Sequence, residues 1–136
     1  MRHTVYFSLG ANIGDREATI NKAIERIEEL IGTIECRSAL LVTEPWGFSS
    51  PNKFVNAAVR CATTLTPHRI LRLTQQIERE LGRTSKSVNG EYHDRPIDID
   101  ILLYDNITID TPDLKIPHPH MHERDFVMRP LREVMP

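Results

Sequence analysis

Residues 97–104 read Ile-Asp-Ile-Asp-Ile-Leu-Leu-Tyr and follow directly on Arg95 and Pro96. Isoleucine and aspartate alternate with period two, so a strand here buries one face and aims Asp98 and Asp100 from the other. Aspartate is depleted in strands, and two like charges about 7 Å apart on one face repel. A divalent cation carrying a phosphate chain would relieve that repulsion and give the pair a chemistry. A half-exposed antiparallel strand with two solvated acids would give it none. This segment by itself leaves both readings open.

Groups that could complete a phosphate site lie close by in the chain. Arg83, Lys86 and Arg95 precede the aspartates, and His118 and Arg124 follow them. Arginine suits phosphate because its planar fork donates two parallel hydrogen bonds. Taken singly each is an ordinary surface charge; their convergence on two carboxylates is what points to a nucleotide. No Gly-Lys-Ser/Thr sequence occurs, so a nucleotide would have to be held by metal and cationic side chains. His118, His120 and His122 alternate as zinc ligands on a strand would, but Pro117 and Pro119 break regular pairing and no cysteine is near. A single histidine donating to phosphate fits better than three acting as ligands.

The elements that must position these groups follow from periodicity. Residues 4–9 read as a strand that ends in a glycine-containing loop at 10–14. Asp15 is a plausible cap for a helix to about Ile31, with Ile20, Ala23, Ile24, Ile27, Leu30 and Ile31 at helical spacing and Gly32 ending it. Residues 36–42 read as a second strand, 43–53 as a long loop and 54–63 as a third strand. Thr66 and Pro67 open a second helix that stops at Gly82. A loop then leads to the aspartate strand, a weak hairpin at 107–116 and a last short helix. This order predicts an α+β sandwich of the ferredoxin-like type, a mainly antiparallel sheet with helices on one face. The other face, with its long loops, is left for a ligand.

Two positions stand out on those elements. On the second helix Ile70, Leu71, Thr74, Ile77 and Leu81 form the apolar sector, yet Glu78 falls inside it and Gln75 at its margin. A charged side chain on a buried stripe needs a partner, either a core arginine or a polar pocket that it walls. On the third strand Phe54 and Asn56 share a face, an aromatic platform beside an amide that can donate and accept at the edge of a heteroaromatic ring. Packing alone also accounts for both.

Composition narrows the class. The chain has 136 residues, enough for one domain with a real core, 1–136, and no second. Its net charge of −2 argues against bulk nucleic-acid binding. Cys36 and Cys61 lie in strand-like apolar surroundings and read as buried free thiols, which fits a cytoplasmic protein. There is no signal-peptide core at the start and no apolar run of membrane-spanning length.

The motifs together resemble the hydroxymethyl-dihydropterin pyrophosphokinase family. Arg95-Pro-Ile-Asp98-Ile-Asp100-Ile-Leu-Leu-Tyr is similar to its signature. In order along the chain, so are Ser8-Leu-Gly-Ala-Asn-Ile-Gly14, Thr43-Glu-Pro-Trp-Gly47, Phe54-Val-Asn-Ala-Ala-Val59 and Gln75-Gln-Ile-Glu78. Gly82-Arg83, Ile116-Pro-His118 and Arg124-Asp-Phe126 complete the series. The resemblance implies a ferredoxin-like fold and transfer of a pyrophosphoryl group from ATP to the pterin hydroxymethyl oxygen, releasing AMP. It implies that Asp98 and Asp100 bind two magnesium ions and that Arg83, Arg95, His118 and Arg124 contact the phosphates, with Lys86 as helper. Gln75, Glu78 and the Ile101 backbone would line the ATP side. Phe54 and Phe126 would sandwich the pterin, with Asn56, Thr43, Asp98 and the backbone at Trp46 reading its edge. Small-molecule substrates and a monomer are expected, without nucleic acid or membrane. The hydroxyl proton would pass to an aspartate or to solvent.

Ser85 stands where many relatives carry a second basic residue, and Lys86 would take over that contact. Tyr92 lies where an aromatic, often tryptophan, is usual; Asn89-Gly90 lengthens that loop; Pro119 replaces a common tyrosine. The sequence stops at Pro136, before longer members do, so no C-terminal extension is expected. No departure removes a metal ligand or the arginine pair, so activity is expected. Two aspartates with arginines would also serve a metal-dependent phosphohydrolase. A regulatory ligand-binding module would have no use for the pair.

Overall fold

The computed structural model describes residues 1–44, 53–82 and 96–136. In chain order these form β1 (His3–Ala11), α1 (Arg16–Leu30), β2 (Gly32–Arg37), β3 (Leu41–Thr43), β4 (Phe54–Thr63), α2 (Pro67–Glu80) and β5 (Asp98–Tyr104). A small hairpin follows, β6 (Ile109–Asp110) and β7 (Lys115–Ile116), then a one-turn segment at Met121–Glu123 and α3 (Asp125–Val134). The main sheet runs β2-β4-β1-β5 with β3 also on β4, and every pairing is antiparallel. This is the ferredoxin-like arrangement expected from the element order.

Alternation decides which face each strand residue meets. Val5, Phe7 and Leu9 of β1, Val55, Ala57, Val59 and Cys61 of β4, and Ile99 and Ile101 of β5 join one core cluster. The stripe Ile20, Ala23, Ile24 and Ile27 of α1 and Ile70 and Ile77 of α2 close over it. Asp15 caps α1 as expected, its Oδ1 accepting from the Ala18 N–H at 3.2 Å. On α2, Leu73 takes the buried place, while Leu71 and Leu81 only flank the core. Cys36 and Cys61 fall in clusters on opposite faces and are free thiols, and burial pushes the Cys61 thiol up to about 12.

Three local departures have physical causes. Gly32 does not close α1 in a left-handed turn but opens β2, where its bare Cα lies against Ala62 and Thr63 of β4. The second strand, expected over 36–42, is two pieces. Ser38 interrupts it: its N–H donates to the Ala58 carbonyl and its hydroxyl accepts the Ala58 N–H, each at 2.9 Å, while Glu133 accepts the Ala39 N–H at 3.0 Å. The aspartate strand carries a bulge, since Ile101 pairs with Phe7 and Leu103 with Tyr6, leaving Leu102 over. That extra residue resets the alternation, so Tyr104 returns to the core face and its hydroxyl donates to the Leu65 carbonyl at 2.7 Å.

The second sheet face is not wholly open. Tyr6, Ala58 and Leu102 meet Val127, Leu131 and Val134 of α3, together with Met121. Burying each of those α3 side chains contributes about 1.5–3 kcal/mol, enough to dock the helix firmly. Arg60 of β4 reaches over to donate to the Val134 carbonyl at the helix end. This docking brings the first turn of α3 over the exposed part of the sheet.

Candidate active site

The floor of the site is what α3 leaves uncovered. Gly10 of β1 pairs with Asn56 on one side and Asp98 on the other; Ser8 pairs with Ala58 and Asp100 in the next row. Asn56 and Asp98 are therefore two strand spacings apart, roughly 10 Å, with only glycine between them. A Cβ at position 10 would lie 3.1 Å from Asn56 Oδ1 and 3.7 Å from Phe54 Cδ1. The bare floor is a slot for a flat ring, with an amide at one end and a carboxylate at the other.

Its walls complete a cleft lined by Thr43, Phe54, Arg124, Phe126 and Val127 as well as the floor. Asn56 is nearly buried, and its Nδ2 donates to Thr43 Oγ1 at 2.8 Å and to the Leu41 carbonyl at 3.4 Å. Both donors thus point at β3, and Oδ1 is turned toward Gly10 as an acceptor. Arg124 precedes α3 and is itself buried, with its guanidinium carbon 5.9 Å from the centroid of Phe126. The N-terminus of α3 adds its own preference for negative charge at this point.

A second, more open cleft adjoins the first at β5. Gln75, Ile99, Asp100, Ile101 and His118 line it, with Pro112, Asp113, Leu114 and Lys115 of the hairpin forming the outer wall. His118 is held there because its N–H donates to the Leu102 carbonyl at 3.0 Å, extending the free edge of β5. Asp100 lines both clefts.

The structure thus gathers Thr43, Phe54, Asn56, Asp98, Arg124 and Phe126 at the first cleft, and Gln75, Ile101 and His118 at the second. Trp46, Arg83, Lys86 and Arg95, with Ser85 and Tyr92, lie outside the described residues. Glu78 faces inward from α2, and its Oε2 accepts the Ile99 N–H at 2.7 Å, on the peptide unit between the two aspartates. This bond ties α2 to the strand edge. Glu78→Ala is expected to bare a buried donor at a cost of about 1–3 kcal/mol. It should weaken ATP binding more than pterin binding, whereas Glu78→Gln keeps an acceptor and most of the stability. Calorimetric titration with each ligand checks this, and a first loss in pterin affinity would contradict it.

Sequence reasoning did not single out Ser8, Gly10 or Lys115. Alternation along β1 places Ser8 and Gly10 on one face, but which neighbours they meet depends on register with two other strands. Lys115 reaches the second cleft only because the hairpin folds back beside β5, and it is ion-paired with Asp110.

Two clefts that share a carboxylate thus lie on the open face of a ferredoxin-like sheet, one a narrow slot floored by Gly10 and one lined by Lys115 and His118 beside Asp100 and Asp113. Comparisons with known proteins identify the family. Residues 6–136 match the family model described as 7,8-dihydro-6-hydroxymethylpterin-pyrophosphokinase (HPPK). A 2-amino-4-hydroxy-6-hydroxymethyldihydropteridine pyrophosphokinase of Porphyromonas gingivalis is 51% identical over 133 residues, 97% of this chain and 90% of that protein. Proteins of the same name from Aquifex aeolicus and Bacillus subtilis are each 42% identical over 98% of this chain, covering 81% and 79% of theirs. Among solved structures, an HPPK-DHPS crystallised with substrates superposes with a TM-score of 0.79 at 17% identity over the whole of this chain. A Plasmodium falciparum HPPK-DHPS gives 0.76 at 16%. This chain spans about two fifths of those two longer chains, 40% and 41%, and at such identity they speak to the fold alone. The chain belongs to the 7,8-dihydro-6-hydroxymethylpterin-pyrophosphokinase family.

Proposed function

We propose that the two clefts hold the two substrates of the family's reaction side by side, the pterin over Gly10 and ATP beside Gln75, Ile101 and His118. That reaction transfers the pyrophosphoryl group of ATP to the hydroxymethyl oxygen of 6-hydroxymethyl-7,8-dihydropterin, giving AMP and the pterin diphosphate ester for folate biosynthesis. The observation that carries the placement is Asp100, one residue that lines both clefts. A group passing from one substrate to the other crosses there.

Asn56 Oδ1 accepts from the ring edge of the pterin, the Thr43 hydroxyl assists, and Phe54 and Phe126 bracket its faces. Asp98 and Asp100 would hold magnesium, two ions in this reading. The donor set fits that metal: both ligands are hard carboxylate oxygens, and among the described residues no His, Cys, Asp or Glu makes a third. Bound there, magnesium supplies charge neutralisation for the transferring group. Arg124 and His118 meet the phosphate chain from opposite sides of Asp100, and Arg83, Arg95 and Lys86 join them by resemblance. Phosphoryl-type transfer asks little covalent help of a protein; positioning and charge stabilisation carry it.

The reading needs no second chain and no nucleic acid. Free thiols suit a reducing compartment such as the cytoplasm, and no described helix is long and apolar enough to cross a membrane. The test is an assay with ATP, magnesium and hydroxymethyl-dihydropterin. AMP and pterin diphosphate are expected in equal amounts, lost on chelation of the metal. ADP or free phosphate as the main product would instead identify a phosphohydrolase.

A further inference from the structure

We propose that Ser8 is a further positioning residue of this site, its hydroxyl donating a hydrogen bond to the Asp100 carboxylate when metal and nucleotide are bound. The assignment rests on the two-cleft reading above.

Ser8 is buried, at 8% exposure, and lines the first cleft. Its hydroxyl makes no hydrogen bond to any described residue and, unlike Arg124 Nε, is not sealed from the cleft, so it is available to a partner there. Its surroundings narrow what that partner can be. In β4 it faces Ala58, which is apolar and 1% exposed. Along β1 the neighbours on the same face are Gly10, which has no side chain, and Tyr6, which packs under α3. In β5 it faces Asp100 directly. Opposed residues in an antiparallel pair have Cβ atoms about 4.5–5.5 Å apart, within reach of a serine–carboxylate hydrogen bond.

An alanine here would pack as Ala58 does beside it, so the fold has no need of the hydroxyl. A carboxylate that ligates a metal does need one. Partners behind a ligating group fix its orientation, and removing one typically weakens metal affinity 10–100-fold. Ser8 is placed to hold Asp100 with one oxygen turned to the cation and the other to the hydroxyl. It touches no reacting atom and acts through Asp100.

The test compares Ser8→Ala and Ser8→Thr with the natural protein by titrating Mn²⁺ in the presence of α,β-methylene-ATP, which cannot be cleaved at the transferring bond. Pterin affinity is measured separately by fluorescence. Ser8→Ala should bind Mn²⁺ about 10-fold more weakly, with pterin affinity within twofold, and Ser8→Thr, which keeps the hydroxyl, should recover most of the loss. A merely structural role would move thermal stability and leave the metal titration alone. Superimposable Mn²⁺ titrations, or a loss confined to pterin affinity, would overturn the assignment. If the natural protein releases AMP while Ser8→Ala titrates normally, only the Ser8 proposal fails; if no AMP appears at all, the functional reading fails first.

Discussion

Replacing Asp100 with asparagine should lower turnover roughly 100- to 1000-fold, the cost typical of removing one charge-stabilising group from a transfer site. Asparagine keeps the shape and hydrogen-bonding reach of aspartate but not its charge, so the fold should persist and the melting temperature change little. Asp100 lines both clefts whereas Asp98 lines the first of the two, and this asymmetry sharpens the expectation. Asp100→Asn should leave pterin affinity within a few-fold and weaken metal-dependent nucleotide binding. Asp98→Asn should lower turnover comparably while also touching the end of the ring slot. Steady-state kinetics with separate ligand titrations read these effects. Near-natural rates in both variants would dismiss the metal role altogether.

Gly32→Ala should be the most damaging small substitution for stability. A Cβ there would fall onto the Ala62 carbonyl oxygen, with the Ala62 carbonyl carbon at 2.9 Å and Thr63 Cα at 3.0 Å. These are backbone atoms of β4 and cannot swing aside as a flexible side chain could. Overpacking of this kind costs about 3 kcal/mol, which for a domain of this size lowers the melting temperature by roughly 10 °C. The Thr63 hydroxyl, which donates to the Ile31 carbonyl at 2.7 Å, would be displaced with it. Thermal melting followed by circular dichroism measures the loss, and turnover per folded molecule should survive at low temperature, since Gly32 lies far from both clefts. An unchanged melting temperature would mean that β2 and β4 are not in this register.

Much of this molecule can be read along the chain because its signals are local. The Asp15 cap of α1, the Pro67 start of α2, the apolar stripe of α1 and the limits of β4 follow from neighbours within a few residues. The readings that had to change depended on contacts distant in sequence. Gly32 resembles a helix stop because glycine commonly serves as one, yet the reason for glycine is the approach of β4, some thirty residues on. Ser38 sits in a run with strand character, and its two bonds to Ala58, with Glu133 taking the Ala39 N–H, break the strand. Leu102 is one of two adjacent leucines, and nothing in their identity says which one bulges.

The candidate site divides along the same line. Period two in residues 97–101 was enough to put Asp98 and Asp100 on one face, because strand geometry admits no other outcome. The motifs were enough to name the family. What lies across from that face was beyond the sequence. Register places Gly10 between Asn56 and Asp98 and sets Ser8 opposite Asp100, and the docking of α3 brings Arg124 and Phe126 over them. The hydrogen bond from the Ile99 N–H to Glu78, inserted between the aspartates, belongs to the same class. The chain by itself determined that two carboxylates would share a face, because that is a property of one strand. Only the tertiary structure decided that Asp100 would stand between two clefts, because a cleft is made by elements that meet from different parts of the chain.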